Sequence, residues 1–169
     1  MDSGESRALV NRLIGSCYEP LYRYARRLSG SAERAEDLVQ ETFLTALERL
    51  DQLIEPDRAG GWLRTTLRNL FLASLRRERR LATGFDFDGV ASSVERPSDE
   101  LLDLPHALDQ LPEEFRIPLI LFYVDHLEYR EIAEQLDLPI GTVMSRLSRA
   151  KAALRRQLEP EPAPVGSTG

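Results

Sequence analysis

Two apolar stripes at helical spacing, joined by a very short turn, constrain this chain more than any other feature of its sequence. Ile132, Ala133 and Leu136 share the inner face of a short helix expected over residues 129–136. Asp137-Leu138 then forms a tight turn, and Pro139-Ile140-Gly141 opens a second helix reaching about residue 158. Asp137 stands where a turn glycine is usual, and Asp tolerates a left-handed backbone better than most residues. The small Ala133 permits close crossing, and Val143 packs back from the second helix. The pattern predicts a helix-turn-helix whose second helix reads the major groove.

At the helical period, Val143, Leu147, Ala150 and Leu154 fall within about 60° of one another and form the buried stripe. Met144, Ser145, Ser148, Arg149, Arg155 and Arg156 face the opposite way. An outward face of Arg and Ser without an acid suits phosphates and base edges. Arg149 fits a guanine edge, and Ser145 or Ser148 a base or phosphate. Met144 offers apolar contact alone, for instance to a thymine methyl. A plain amphipathic bundle helix is the competing reading.

The rest of the chain also reads as all-α. Leu occurs 28 times against 13 for Val and Ile together, and unbranched Leu keeps its rotamers in a helix. Apolar residues recur at helical spacing from Leu9 to Leu28, with a break or kink expected at Gly15 or Pro20. Gly30 is expected to cap that helix and Ser31 to cap the next, over residues 32–50. The second helix places Ala35, Leu38, Val39, Phe43, Ala46, Leu47 and Leu50 on one face. A loop over residues 51–61 and a third helix over 62–80 follow. Pro112 opens a further helix, which Pro118 should kink. Residues 83–100 read as a flexible tether and 159–169 as a disordered tail.

The net charge of −6 conceals its distribution. Residues 1–84 carry 14 basic and 12 acidic side chains, residues 85–114 carry 1 and 9, and residues 115–169 carry 7 and 7. Residues 58–80 hold seven Arg and one Glu, and residues 142–156 hold five basic groups and no acid. Two cationic segments with an acidic connector point to two nucleic-acid contacts, although each run is also consistent with a solvated helix face.

On the third helix Leu63, Leu67, Leu70, Phe71 and Ser74 are expected inside, and Arg64, Arg68, Arg76 and Arg79 outside. Trp62, Thr66 and Asn69 form a border stripe. Trp62 and Asn69 there suit stacking on an unpaired base and bonding to its edge, while periodicity alone places Trp62 more readily in the core. Glu36, Asp37, Gln40, Glu41, Thr45 and Glu48 make an acidic face on the second helix, which repels phosphates; charge alone favours a merely solvated surface.

One Cys and two His exclude a disulfide framework and argue against structural zinc, and there is no P-loop or Cys/His nucleophile pair, so no enzyme is expected. Cys17 reads as a small buried hydrophobe and His106 and His126 as surface or border residues. The N-terminus is polar and acidic, and the longest apolar run, residues 119–124, is far short of a membrane span, so a cytoplasmic protein is expected.

Five motifs in order resemble one family. They are Ala35-Glu36-Asp37-Leu38-Val39-Gln40-Glu41-Thr42-Phe43; Trp62-Leu63 with Arg68-Asn69; Leu111-Pro112-Glu113-Glu114; Tyr129-Arg130-Glu131-Ile132-Ala133; and Gly141-Thr142-Val143-Met144-Ser145-Arg146-Leu147-Ser148-Arg149-Ala150. Together, over about residues 8–158, they look like bacterial extracytoplasmic-function (ECF) sigma factors. The resemblance implies a subunit that binds core RNA polymerase, directs it to promoter DNA and needs no cofactor.

It also implies two small helical domains. Residues 8–80 would dock on polymerase and read and melt the minus-ten element, and residues 98–158 would read the minus-thirty-five element. The flexible acidic linker 81–97 would thread a basic polymerase channel. Asp37, Gln40, Glu41 and Leu44 become expected polymerase contacts, which reverses the solvated reading of that face. The loop over 51–61 would capture a flipped base. Arg58, Trp62, Arg64, Arg68, Asn69, Arg76 and Arg79 become expected minus-ten contacts. Thr142, Met144, Ser145, Arg146, Ser148, Arg149 and Lys151 become expected minus-thirty-five contacts. An anti-sigma partner and the absence of membrane insertion are implied as well.

This chain departs from the family pattern at Met144, where many members carry Lys or Arg, and at Asp137, which replaces the turn Gly. His126-Leu127-Glu128 replaces Gly-Leu-Ser, leaving the short helix without a good N-cap. Pro105 interrupts a stretch that is usually plain helix, and the segment before Leu21 is short. A stand-alone DNA-binding regulator and a helical adaptor without DNA binding are the rival functions.

Overall fold

The computed structural model describes residues 3–49, 55–82 and 104–159, and the described residues contain helices and no strand. The helices are α1 (Ser3–Ser29), α2 (Ala32–Glu48), α3 (Ala59–Leu81), α4 (Leu104–Asp109), α5 (Glu113–Tyr123), α6 (Tyr129–Leu136) and α7 (Ile140–Leu158), with a 3-10 turn at Pro56–Arg58 before α3. They divide into two compact units, one built on α1–α3 and including Gln135–Asp137, the other on the rest of α4–α7. The expected tether over 83–100, the expected tail beyond Glu159 and residues 51–54 of the expected loop lie outside the described residues.

In the first unit α1 runs unbroken through Gly15 and Pro20, so the expected break is absent. Pro20 and Ser16 are both exposed. The carbonyl that loses its bond to a residue-20 N–H is therefore open to water, which lowers the cost of proline there. Gly30 ends α1 with φ 68°, and its N–H donates to the Arg26 carbonyl at 2.9 Å. Only glycine adopts that backbone without a Cβ penalty. Ser31 then caps α2, its Oγ accepting from the Arg34 N–H at 3.4 Å.

The three helices close on a core of Leu13, Leu21, Leu28, Val39, Phe43, Leu63, Leu67 and Phe71. Phe71 is wholly buried, and burial of such a side chain is worth about 1.5–3 kcal/mol. Leu47 was expected inside but is 41% exposed, and Leu50 lies outside the described residues. Thr42 takes an inner position instead and satisfies its hydroxyl by donating to the Leu38 carbonyl. Cys17, expected buried, is half-buried. Gly60 and Gly61 belong to the first turn of α3 rather than to the preceding loop. The apolar surface of α3 is broader than the predicted stripe: Leu72 and Leu75 are buried, while Leu70 and Ser74 are half-buried. Arg34 and Glu78 pair at 3.0 Å between α2 and α3, and the Arg34 guanidinium lies 5.9 Å from the Phe71 ring centre.

In the second unit α5 is the central element. Arg116, Ile117, Pro118, Leu119, Ile120 and Leu121 are all buried, as expected for a helix apolar on every side. Pro118 lies inside α5 without ending it. The buried Arg116 donates from Nη1 to the Leu111 carbonyl at 2.9 Å, so part of its guanidinium is matched to backbone.

Both ends of α6 are fixed by backbone detail. Asp137 has φ 52°, and the Leu138 N–H donates to the Ala133 carbonyl at 2.9 Å, a Schellman-type closure. His126 also has φ 56°, a second left-handed residue that periodicity did not reveal. The poor N-cap expected at Glu128 is partly remedied: its N–H donates to Glu131 Oε2 at 2.8 Å, which is half of a capping box. Ile132, Ala133 and Leu136 are buried as expected.

Candidate nucleic-acid interface

On α7 the two predicted faces separate cleanly. Val143, Leu147 and Ala150 are buried at 1% exposure or less, and Leu154 is half-buried. Met144, Ser145, Ser148, Arg149, Arg155 and Arg156 are exposed, while Thr142 and Arg146 are half-buried. The helix has no acid from Ile140 to Leu158, and Arg155 and Arg156 in its last turn complement the negative end of the dipole. Lys151 lies differently. It is half-buried, with Nζ 5.5 Å from the Phe122 ring centre and 5.7 Å from that of Tyr123. The ammonium thus makes a cation–π contact that ties α7 to the end of α5.

A hollow of about 280 Å³ opens on this surface between Tyr129, Met144, Leu147, Ser148, Lys151, Ala152 and Arg155. Tyr129 was not expected there, because its own helix is short and its ring was assigned no face. Ile140, at the leading end of α7, is 47% exposed and was likewise missed. The only signal for it was its spacing of four residues from Met144.

On α3, Arg64, Asn69 and Arg79 are exposed and Arg68 and Arg76 half-buried. Trp62 and Thr66 are half-buried, which places Trp62 on the border rather than in the core. Arg64 lies 5.9 Å over the Tyr24 ring. Arg58, just before α3, keeps 84% of its side chain exposed while pairing with Glu55 at 2.9 Å.

On α2, Glu36, Asp37, Gln40, Glu41 and Glu48 are exposed. Leu44 is 61% and Leu47 41% exposed within the same surface. Two leucines one turn apart among carboxylates suit a protein better than DNA, since carboxylates repel phosphates and exposed leucines gain from being covered.

The comparisons agree with this division. The family model for sigma-70 region 2 matches residues 13–81, and that for sigma-70 region 4 matches residues 101–154. The ECF RNA polymerase sigma factor EcfG of Rhodopseudomonas palustris is 36% identical over 79% of this chain and 76% of its own length. This chain belongs to the ECF RNA polymerase sigma factors. The ECF sigma factor SigE of Mycolicibacterium smegmatis is 38% identical over 92% of the chain, which spans 65% of that relative's length. Among solved structures, the sigma factor RpoE of Bartonella quintana, crystallised with the anti-sigma factor NepR, matches with a TM-score of 0.51 and 30% identity. That likeness covers 90% of this sigma factor and 98% of the RpoE chain. Among the described residues, no helix is long and apolar enough to cross a membrane.

Proposed function

We propose that this chain binds core RNA polymerase, directs it to specific promoters and helps to open the DNA there. The observation that carries this reading is one chain presenting two chemically opposite contact surfaces. The acid-free face of α7 suits duplex DNA, and the acidic, leucine-bearing face of α2 suits protein.

In this reading residues 98–158 form the domain that engages the minus-thirty-five element. Arg149 reads a base edge, and Thr142, Ser145, Arg146 and Ser148 fix register on base and phosphate. Lys151 acts through its aromatic partners and positions α7. Residues 8–80 form the second domain. Asp37, Gln40, Glu41 and Leu44 contact polymerase. Trp62 and Asn69 receive unstacked minus-ten bases, while Arg58, Arg64, Arg68, Arg76 and Arg79 hold phosphates. Flipping a base costs about a few kcal/mol, which the polymerase and duplex contacts offset.

Residues 81–97 link the domains as an acidic tether. RNA synthesis itself belongs to polymerase, and the site of action is the cytoplasm. The solved complex of RpoE with NepR supports an anti-sigma partner for this chain too.

The deciding experiment is in vitro transcription on host genomic fragments with purified core polymerase, with and without this protein. Discrete new start sites dependent on the chain are expected. Binding to polymerase without initiation would make it an adaptor. Tight specific duplex binding without any polymerase contact would make it a stand-alone regulator.

A further inference from the structure

One outward row in the leading half of α7 is apolar. Ile140 and Met144 stand one turn apart and are 47% and 50% exposed. The same row continues, four residues at a time, through Ser148 and Ala152. Lys151, beside this row, holds its Nζ over the Phe122 and Tyr123 rings at 5.5 and 5.7 Å. Met144 also forms one wall of the hollow described above, whose cations, Lys151 and Arg155, stand at seven and eleven residues from it along the helix.

A thioether donates no hydrogen bond and accepts only weakly. It is polarisable and flexible, and so adapts to an apolar partner. In the major groove the one apolar feature of a base edge is the C5-methyl of thymine. Residues in the N-terminal part of a reading helix are the ones that meet base edges.

We propose that Met144 is a specificity-determining residue that reads the C5-methyl group of a pyrimidine in the upstream promoter element, a thymine in ordinary DNA. This rests on the reading of α7 as the duplex-reading helix. The recognised class is a 5-methylpyrimidine, because the methyl and not the hydrogen-bonding edge is what Met144 contacts. A 5-methylcytosine at the same position presents the same group. A charged residue in place of Met144 would seek a guanine or a phosphate instead, so the methionine changes which promoters are favoured.

The test uses the full chain with core polymerase. Promoters are first selected from a library randomised across the upstream element. Each thymine of the selected element is then replaced singly by deoxyuridine, which removes the methyl and nothing else. At one thymine, open-complex formation is expected to fall about four-fold, the loss that follows from withdrawing one buried methyl. At that position, 5-methylcytosine is expected to outperform cytosine by a similar factor. With Met144→Ala, and with Met144→Gln, which keeps the reach but replaces the thioether by an amide, both differences should shrink to within measurement error. Circular dichroism of both variants checks that α7 is intact.

An element without thymine, or deoxyuridine substitutions that all leave the wild-type rate unchanged, would overturn the assignment while leaving the initiation activity standing. So would a methyl effect of equal size in both variants. Absence of any selected promoter would remove the sigma-factor reading itself, and this proposal with it.

Discussion

The two basic helices differ in how their charge is held. On α7 the buried stripe and the cationic surface occupy separate faces, and Arg149, Arg155 and Arg156 project into solvent. On α3 the division is blurred. Leu72 and Leu75 are buried on the side predicted to be basic, Arg68 and Arg76 beside them are half-buried, and Arg64 lies over Tyr24. A helix whose arginines stand clear of its apolar surface presents them to a ligand at little structural cost. A helix whose arginines are half covered holds them at fixed positions, and changing one disturbs packing as well as charge. The first arrangement suits reading a rigid duplex. The second suits holding a distorted strand in place.

The comparison is broken most directly at the core of α3. Phe71 is fully buried and lies beneath Arg34. Phe71→Ala is expected to destabilise the first unit by about 3–5 kcal/mol, the range for deleting a buried phenyl ring. Denaturant unfolding read by hydrogen exchange at α1–α3 amides measures it. A loss below about 1 kcal/mol would show that this ring is not the centre of the unit.

The next effect is on binding rather than stability. Arg149→Ala is expected to weaken holoenzyme binding to its upstream element by roughly 1–3 kcal/mol, as for a base-reading arginine. Its exposed position predicts an unchanged unfolding midpoint. Equal losses on specific and scrambled elements would reassign Arg149 to a phosphate. Arg68→Ala should instead lower both promoter opening and the stability of the first unit, because its side chain is half-buried. A pure binding defect there would erase the contrast between the helices.

The two left-handed residues that flank α6 sharpen the comparison further. Asp137 and His126 have φ 52° and 56°, at the two ends of α6. Asp suits that backbone better than His does, since a short polar side chain can bond locally. His126→Gly is therefore expected to stabilise the unit by about 0.5–1 kcal/mol, with strain relief partly offset by glycine's greater unfolded-state freedom. Asp137→Gly should gain less. A reversed order in thermal unfolding would mean that His126 makes compensating contacts in its turn.

These cases also mark what the sequence made legible. Residues 129–136 and the start of the helix at 140 were readable because periodicity, a turn residue and a proline all agreed there. Gly30 and Ser31 were readable for the same reason. Pro20 did not break α1, because a proline's cost depends on whether the carbonyl it orphans meets water or another donor, which is a property of the surroundings. Leu47 lies outside its expected place, and Thr42, assigned to no face, is buried, because a helix stripe tells which residues are neighbours but not how far the partner helices extend. The cation–π contact of Lys151 joins α7 to residues nearly thirty positions earlier, and no local pattern encodes it. The charge run on α3 is plain in the sequence, but the half-burial of Arg68 and Arg76 within it is set by tertiary packing. The polymerase contacts on α2 follow from the family resemblance, whereas Arg149, Ser145 and Ser148 on α7 and the border pair Trp62 and Asn69 on α3 were legible from residue type and helix face.

The smallest expected effect concerns the link between α2 and α3 in the first unit. Arg34 near the start of α2 pairs with Glu78 near the end of α3 at 3.0 Å, with side-chain exposures of 35% and 58%. Solvent screens a pair this open, so the ion pair itself is worth about 0.2–1 kcal/mol. Arg34 also lies over Phe71, so Arg34→Ala removes packing that Glu78→Ala does not. A double-mutant cycle with Arg34→Ala and Glu78→Ala isolates the ionic part. The coupling should stay below about 1 kcal/mol and weaken as salt is raised. A coupling several times larger, insensitive to salt, would mean that the two helices are held together by this pair rather than by the apolar core beneath it. The arginines of α3 would then owe their fixed positions to charge, and the contrast with α7 would rest on electrostatics instead of packing.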